Sequence, residues 1–378
     1  MEMSSFVPPT IYLSLLLLLP SSIYLIFRLR PRRPSTLNFP PGPAPIPILG
    51  NLHQIPLQKS FLQFAKWSRE HGPIIGLYLG PQKVVVLNSW QAVRDLLDQR
   101  GAIYSSRPDI PIVQHVLPGD VHLVFMKHDR TWRRARKTIV DFLAGADADR
   151  LLAVQDAEST QMVWELATAP EEYYAHVMRA FGAVILAEVY GLRGTKERTR
   201  RFFAIQDEWA ALLDPGAMPP FEVFPFLRWV PDWITPWRGW RTRAELLKGR
   251  QSGLYKELFE EAKGGIEKGT GGETFVKRLL EDQEKEGYTD VELTYIAGFL
   301  MEGGADTTAL ALLTFIVAMA AYPEIQTRVQ AEVDRAIGDE VMPASIRSKT
   351  LPYLKACFWE VSLPMDSLPL CISLANLH

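Results

Sequence analysis

Cysteine is scarce in this chain: Cys357 and Cys371 are the two present in 378 residues. Two cysteines in so long a sequence make no disulfide framework, and such usage fits a reducing, cytosol-facing compartment. Net charge is also nearly absent. The formal charge is −2, so no global basic field points to nucleic acid as a partner. No block of like charges marks an interaction tail, and no internal repeat is present. The histidines, His53, His71, His115, His122, His128, His176 and His378, form no recognisable metal motif.

What the chain does hold is apolar. Hydrophobic residues make up 47% and charged residues 22%, enough for a large core or two domains. Near the N-terminus Ile11 to Phe27 carries no charge and contains Leu15 to Leu19 unbroken. At about 17 residues it sits at the short end for a spanning helix. Arg28, Arg30, Arg32 and Arg33 come directly after it, which predicts that this side stays in the cytosol. Residues 1–27 therefore read as a membrane anchor. A cleaved signal peptide is the rival, because Pro20-Ser21-Ser22 interrupts the run, but signal peptides place their positive charge before the apolar stretch. Residues 28–50 form a proline-rich hinge, with Pro31, Pro34, Pro40, Pro41, Pro43, Pro45 and Pro47. Such a stretch reads as stiff, extended chain that orients a domain on the bilayer or serves as a plain spacer.

Beyond the hinge, periodicity predicts a mainly α fold with a small β element. Lys59 to His71 is helical, Ile74–Leu79 and Lys83–Asn88 make a hairpin about Gly80-Pro81-Gln82, and helix resumes after Ser89. Further helices are expected near Arg130–Leu143, Ala148–Thr168, Glu171–Tyr190, Lys196–Leu213, Trp240–Lys268, Glu273–Glu286, Asp290–Tyr322 and Pro323–Ile337. Gly264, Gly265, Gly269, Gly271 and Gly272 read as a surface loop. Residues 218–240 concentrate Trp229, Trp233, Trp237 and Trp240 with Phe221, Phe224 and Phe226. This segment is either a dip into a membrane interface, where Trp is enriched, or a packed loop.

The apolar helix Leu293–Tyr322 carries two charges, Glu302 and Asp306, beside Gly303 and Gly304 and ahead of Thr307 and Thr308. Gly inside a helix costs about 1 kcal/mol relative to Ala, and an acid among apolar turns costs more unless it is paired or used. By hydropathy the segment also passes for a second transmembrane span, but lipid penalises an acid most at mid-helix. On a core helix, Asp306 and Thr307 can form a proton relay to a bound oxygen species, or the turn is a tolerated kink.

Gly303 to Thr308 fits (Ala/Gly)-Gly-x-(Asp/Glu)-Thr-(Thr/Ser). Pro40-Pro41-Gly42-Pro43, Ile48-Leu49-Gly50-Asn51, Tyr104-Ser105-Ser106-Arg107-Pro108, Trp132-Arg133-Arg134-Ala135-Arg136, Tyr322-Pro323-Glu324 and Leu351-Pro352-Tyr353-Leu354 stand in order along the chain. In this set, spread over residues 40–360, the chain resembles the cytochrome P450 family of haem-thiolate monooxygenases, in its microsomal, fungal form. The resemblance implies haem b as cofactor, an NADPH-dependent cytochrome reductase as partner, and a small apolar substrate, with secondary metabolism as one setting for it. It implies a single-pass protein of the endoplasmic reticulum membrane, its domain (residues 51–360) facing the cytosol. It assigns Trp132 and Arg136 to haem propionates, Gly304 and Ala305 to the floor where oxygen and substrate meet, and Asp306 and Thr307 to oxygen activation.

The chain departs from the family at its end. The family's Glu-x-x-Arg begins at Glu360, but Leu363 stands where the arginine belongs and Pro364 is expected to cut the helix. No Phe-x-x-Gly-x-Arg-x-Cys-x-Gly loop occurs. Cys371 lies in Leu368-Pro369-Leu370-Cys371-Ile372, and Cys357 reads as a small core residue. Residues 361–378 look foreign to the family. The expectation is an incomplete cytochrome P450 fold, catalytically inactive as it stands and with doubtful haem binding. The alternative is a non-enzymatic, membrane-anchored binding or partner protein derived from the fold.

Overall fold

The structure is a computed structural model that describes residues 39–117, 121–145, 148–338 and 351–367. The expected anchor at 1–27, the hinge up to residue 38 and the tail from 368, with Cys371, lie outside the described residues. The chain divides into two units, one of residues 1–105 with 215–238 and one of 106–214 with 239–378.

The first unit holds the β element. β1 (Ile74–Leu79) pairs antiparallel with β2 (Gln82–Leu87), from Ile74 opposite Leu87 to Leu79 opposite Gln82. The second strand starts one residue earlier than the sequence suggested. Gly80, at φ 56°, closes the turn within two residues, a conformation that glycine adopts without steric cost. The helix α1 (Ser60–His71) lays Trp67 on Ile75 and Leu77. The proline segment is strapped to the hairpin rather than free. The Gly76 N–H donates to the Pro41 carbonyl at 2.9 Å, and Gly42 lies so close to the Gly76 carbonyl that a Cβ would overlap it. The fully buried Asn51 accepts from the Tyr78 N–H at 2.8 Å and donates to the Pro43 carbonyl at 2.9 Å. Within 215–238, Phe221 and Val223 are buried while Phe226, Trp229, Trp233 and Ile234 are exposed.

The second unit is helical. Its main elements are α2 (Arg130–Ala144), α3 (Ala148–Thr168), α4 (Tyr173–Tyr190), α5 (Lys196–Leu213), α6 (Trp240–Glu267), α7 (Phe275–Glu286), α8 (Asp290–Ala321), α9 (Pro323–Ile337) and α10 (Pro352–Ser367). A short helix, Pro111–Val116, precedes α2. The mainly α reading with one small sheet holds. Two local expectations do not. Gly264 and Gly265 stay helical to Glu267, because the glycine penalty is small against a long helix with a buried face. The backbone of α10 also stays helical past Pro364. Proline fixes φ near the helical value, so it deletes a hydrogen bond without having to end the element.

α8 is the centre of this unit. Thr289 and Glu292 start it with a reciprocal capping box. Its middle packs on α4 in a core of Val177, Met178, Ala309, Leu310 and Leu313. Gly298 admits the Tyr255 ring of α6, which a Cβ would meet at 2.5 Å. Among the described residues, α8 is the one helix long and apolar enough to cross a membrane. Its packed neighbours and the partners of its acid at 302 make it the core helix of this unit instead.

Candidate functional site

The turn from Glu302 to Thr308 sorts its residues by face. Ala305 is fully buried. Gly304 meets Ile185 of α4, where a Cβ would approach to 2.6 Å. Gly303 opens outward, since a Cβ there would meet nothing within 4 Å. Thr307 lies one helical turn on and is exposed, its hydroxyl donating to the Gly303 carbonyl at 2.7 Å. Gly303 and Thr307 thus share one open face of the helix. The Thr307 hydroxyl is satisfied by the backbone rather than by Asp306.

Asp306 is half-buried, and among the described residues no hydrogen bond reaches its carboxyl. Burial first, and then the charge of Asp207 in α5, pushes its pKa above the ordinary carboxylate value. Asp207 is itself raised, by burial and then by Glu208. Tyr174 of α4 feels the same pair: burial, then Asp207, then Asp306 raise its pKa. A carboxyl held toward its protonated form is suited to giving up a proton.

One turn earlier, Glu302 is fully engaged. It accepts from His122 Nε2 at 2.7 Å, Gln206 Nε2 at 3.2 Å, Gln251 Nε2 at 3.1 Å and the Tyr255 hydroxyl. Burial and the Glu302 charge push Tyr295 up to about 12 and raise Tyr190 further. In the sequence Glu302 stood out as one of two charges in an apolar run, but its partners did not, because they lie in a loop, α5 and α6. Only the charge itself signalled that partners were needed.

Trp132 and Arg136 stand on α2. Asp129 caps that helix, its side chain accepting from the Trp132 N–H at 2.9 Å. The Arg136 guanidinium lies over the Trp132 ring at 5.3 Å, and the His128 ring meets the same indole edge-on at 4.8 Å. Arg136 is exposed. Arg134, by contrast, is taken up by Glu292, by the Glu286 carbonyl at 2.7 Å and by the Tyr288 ring. A cavity of about 480 Å³ opens beside α8, where Met162, Phe181, Ile185 and Leu300 face Gly304 and Thr308.

Comparison with known proteins decides the family. The Cytochrome P450 family profile matches residues 40–362. The chain belongs to the cytochrome P450 family. It is 32% identical over 354 residues to "Cytochrome P450 monooxygenase macC" of Penicillium terrestre, covering 91% of this chain and 65% of that protein. It is 33% identical over 353 residues to "Cytochrome P450 monooxygenase patI" of Penicillium expansum, at 92% and 66% coverage. A third relative, "Cytochrome P450 monooxygenase acuD" of Aspergillus aculeatus, is 32% identical over 327 residues, at 85% and 61% coverage. The chain thus spans about two thirds of the length of these curated relatives.

The cofactor of a cytochrome P450 is haem iron, and two features among the described residues are compatible with such a group. Gly303 and Thr307 leave an unobstructed small-residue surface on α8. Arg136 has no ion-pair partner among the described residues, and a guanidinium beside an indole N–H suits carboxylate groups. No cluster of three or more His, Cys, Asp or Glu among the described residues is placed to hold a metal ion. The described cysteine, Cys357, sits half-buried in α10.

Proposed function

We propose that this chain carries the oxygen-handling half of a monooxygenase site that oxidises a small, apolar compound. The observation that carries the reading is the division of the Glu302–Thr308 turn: an open Gly303–Thr307 face beside Asp306, whose carboxyl no hydrogen bond reaches among the described residues and whose pKa burial and Asp207 raise. Haem, when bound, supplies the redox chemistry by which one oxygen atom of O₂ enters the substrate and the other leaves as water, using electrons from an NADPH-dependent reductase. The chain's own residues do the rest. Trp132 and Arg136 would hold the cofactor's carboxylate groups. The Thr307 hydroxyl turns from the Gly303 carbonyl to donate to an oxygen on the open face. Asp306 would return the proton to that hydroxyl.

On this reading the protein sits on the endoplasmic reticulum membrane through residues 1–27. The exposed Phe226, Trp229 and Trp233 support a second contact with the lipid interface. The family relatives named above are fungal monooxygenases, which supports a substrate from fungal secondary metabolism. The test is haem titration of the purified full chain, monitored by absorbance. Saturable uptake that weakens on Arg136→Ala is expected, and a small apolar compound should shift the band of the loaded protein. A chain that takes up no haem sinks the reading. If it instead binds small apolar compounds in the 480 Å³ cavity without haem, the non-enzymatic binding protein is the correct reading.

A further inference from the structure

Glu302 gathers donors from three directions: Gln206 on α5, Gln251 and Tyr255 on α6, and His122 on the segment before α2. The first two directions are helices held by their own packed faces. The third is a segment without regular structure, and His122 is its anchor. The His122 ring is buried at 5% exposure, wedged against Phe125 at 5.0 Å and edge-on to Phe299 at 5.2 Å. Its own carbonyl accepts from the Phe125 and Met126 N–H groups at 2.9 and 3.1 Å, so the local turn is built around it. Phe125 then meets Trp209 of α5 edge-on at 5.9 Å. Among the described residues, the segment's other polar ties, Lys127 with Asp109 and the Arg107 guanidinium with the Val124 carbonyl at 3.1 Å, are solvent-exposed and each holds little.

This anchor leads directly into the start of α2. Asp129 caps the helix at Trp132, and Trp132 supports the Arg136 guanidinium. The chain therefore runs from the His122–Glu302 contact, over seven residues, to Asp129, which caps the helix that carries the indole and guanidinium.

We propose that His122 and Glu302 are positioning residues: their buried contact fixes the 121–129 segment on α8 and so sets Trp132 and Arg136 relative to the Gly303–Thr307 face. Neither residue handles oxygen or substrate. The inference rests on the proposed function only in calling those two surfaces one site. The contact itself is open to measurement without haem.

The experiment is amide hydrogen exchange on the purified full chain, read over peptides of 121–133 and, as a control of folding, over α6 and α7. His122→Phe keeps the bulk and removes the donor, whereas His122→Gln keeps a donor. The expected result is exchange in 121–129 about tenfold faster in His122→Phe, largely restored in His122→Gln, with the controls unchanged. In the His122→Phe background, Glu302→Gln should add nothing further in this segment. Native protection in His122→Phe, or additive effects of the two substitutions, overturns the proposal, since the ring would then act by packing alone. Haem titration of the same variants separates the two readings. Coupled exchange without haem uptake by any variant, native chain included, leaves the anchor standing and removes the monooxygenase reading. Haem uptake with uncoupled exchange does the reverse.

Discussion

Glu302 and Asp306 are the same kind of group, one turn apart on one helix, and the fold treats them in opposite ways. Glu302 is surrounded by donors from three other parts of the chain. Asp306 has no hydrogen-bond donor among the described residues, and Asp207 as a like-charged neighbour. A buried carboxylate with four donors is a fixed structural joint. A partly buried carboxyl near another acid has its pKa raised. The polar cost of placing two acids in an apolar helix is thus offset by hydrogen bonding at one position and left without a donor at the other.

The strongest way to break this contrast is Glu302→Leu. It strands His122, Gln206, Gln251 and Tyr255 without their acceptor, and a buried donor left unsatisfied costs about 1–3 kcal/mol. The urea midpoint should fall accordingly, and an unchanged midpoint would show that the cluster does not form. Next is Gly298→Ala, which drives a methyl group into the Tyr255 ring at the edge of the same cluster. Overpacking of this kind costs about 1–3 kcal/mol, and α6 should report it through faster exchange.

Asp306→Asn should do the opposite of Glu302→Leu. The folded state holds the Asp306 proton to higher pH than the unfolded chain does. Below the ordinary carboxylate pKa both states are protonated and the raised value costs nothing. As pH rises from there through the raised value, the folded state loses stability relative to the unfolded one. A neutral amide at this position escapes that loss, so the variant should be more stable than the native chain at neutral pH. For a partly exposed charge the gain is below about 1 kcal/mol, and it should vanish in acid, as thermal unfolding across pH will show.

Thr307→Val gives the smallest effect on stability. Its side chain is exposed and bonds only its own helix, so thermal unfolding should move by less than about 0.5 kcal/mol. A larger loss would mean that Thr307 belongs to the structural joint rather than to the open face.

Much of the fold was legible. Ala148–Thr168, Lys196–Leu213 and Pro323–Ile337 begin and end where periodicity put them, because apolar periodicity and start signals such as Thr195, which accepts from the Arg198 N–H, are local in sequence. Ser89 and Thr274 cap the helices that start after them, accepting from Ala92 and Lys277, as local chemistry requires. Gly264 and Gly265 misled, since their weak helix penalty was overruled by the buried face of α6. In the site, the residue types of 302–308 announced that something unusual occurs there. Their spacing did not show that Gly303, rather than Gly304, opens outward.

The sequence alone determined that a long apolar helix would carry two acids, two glycines and two threonines in its middle, because those residues are covalently placed there and their cost has to be met. Which acid is tied and which is free was decided only in three dimensions. His122 precedes Glu302 by 180 residues, and Gln206, Gln251 and Tyr255 come from two further helices. Hydrogen bonds need donors within about 3 Å, and no pattern along the chain specifies such proximity until the helices have packed.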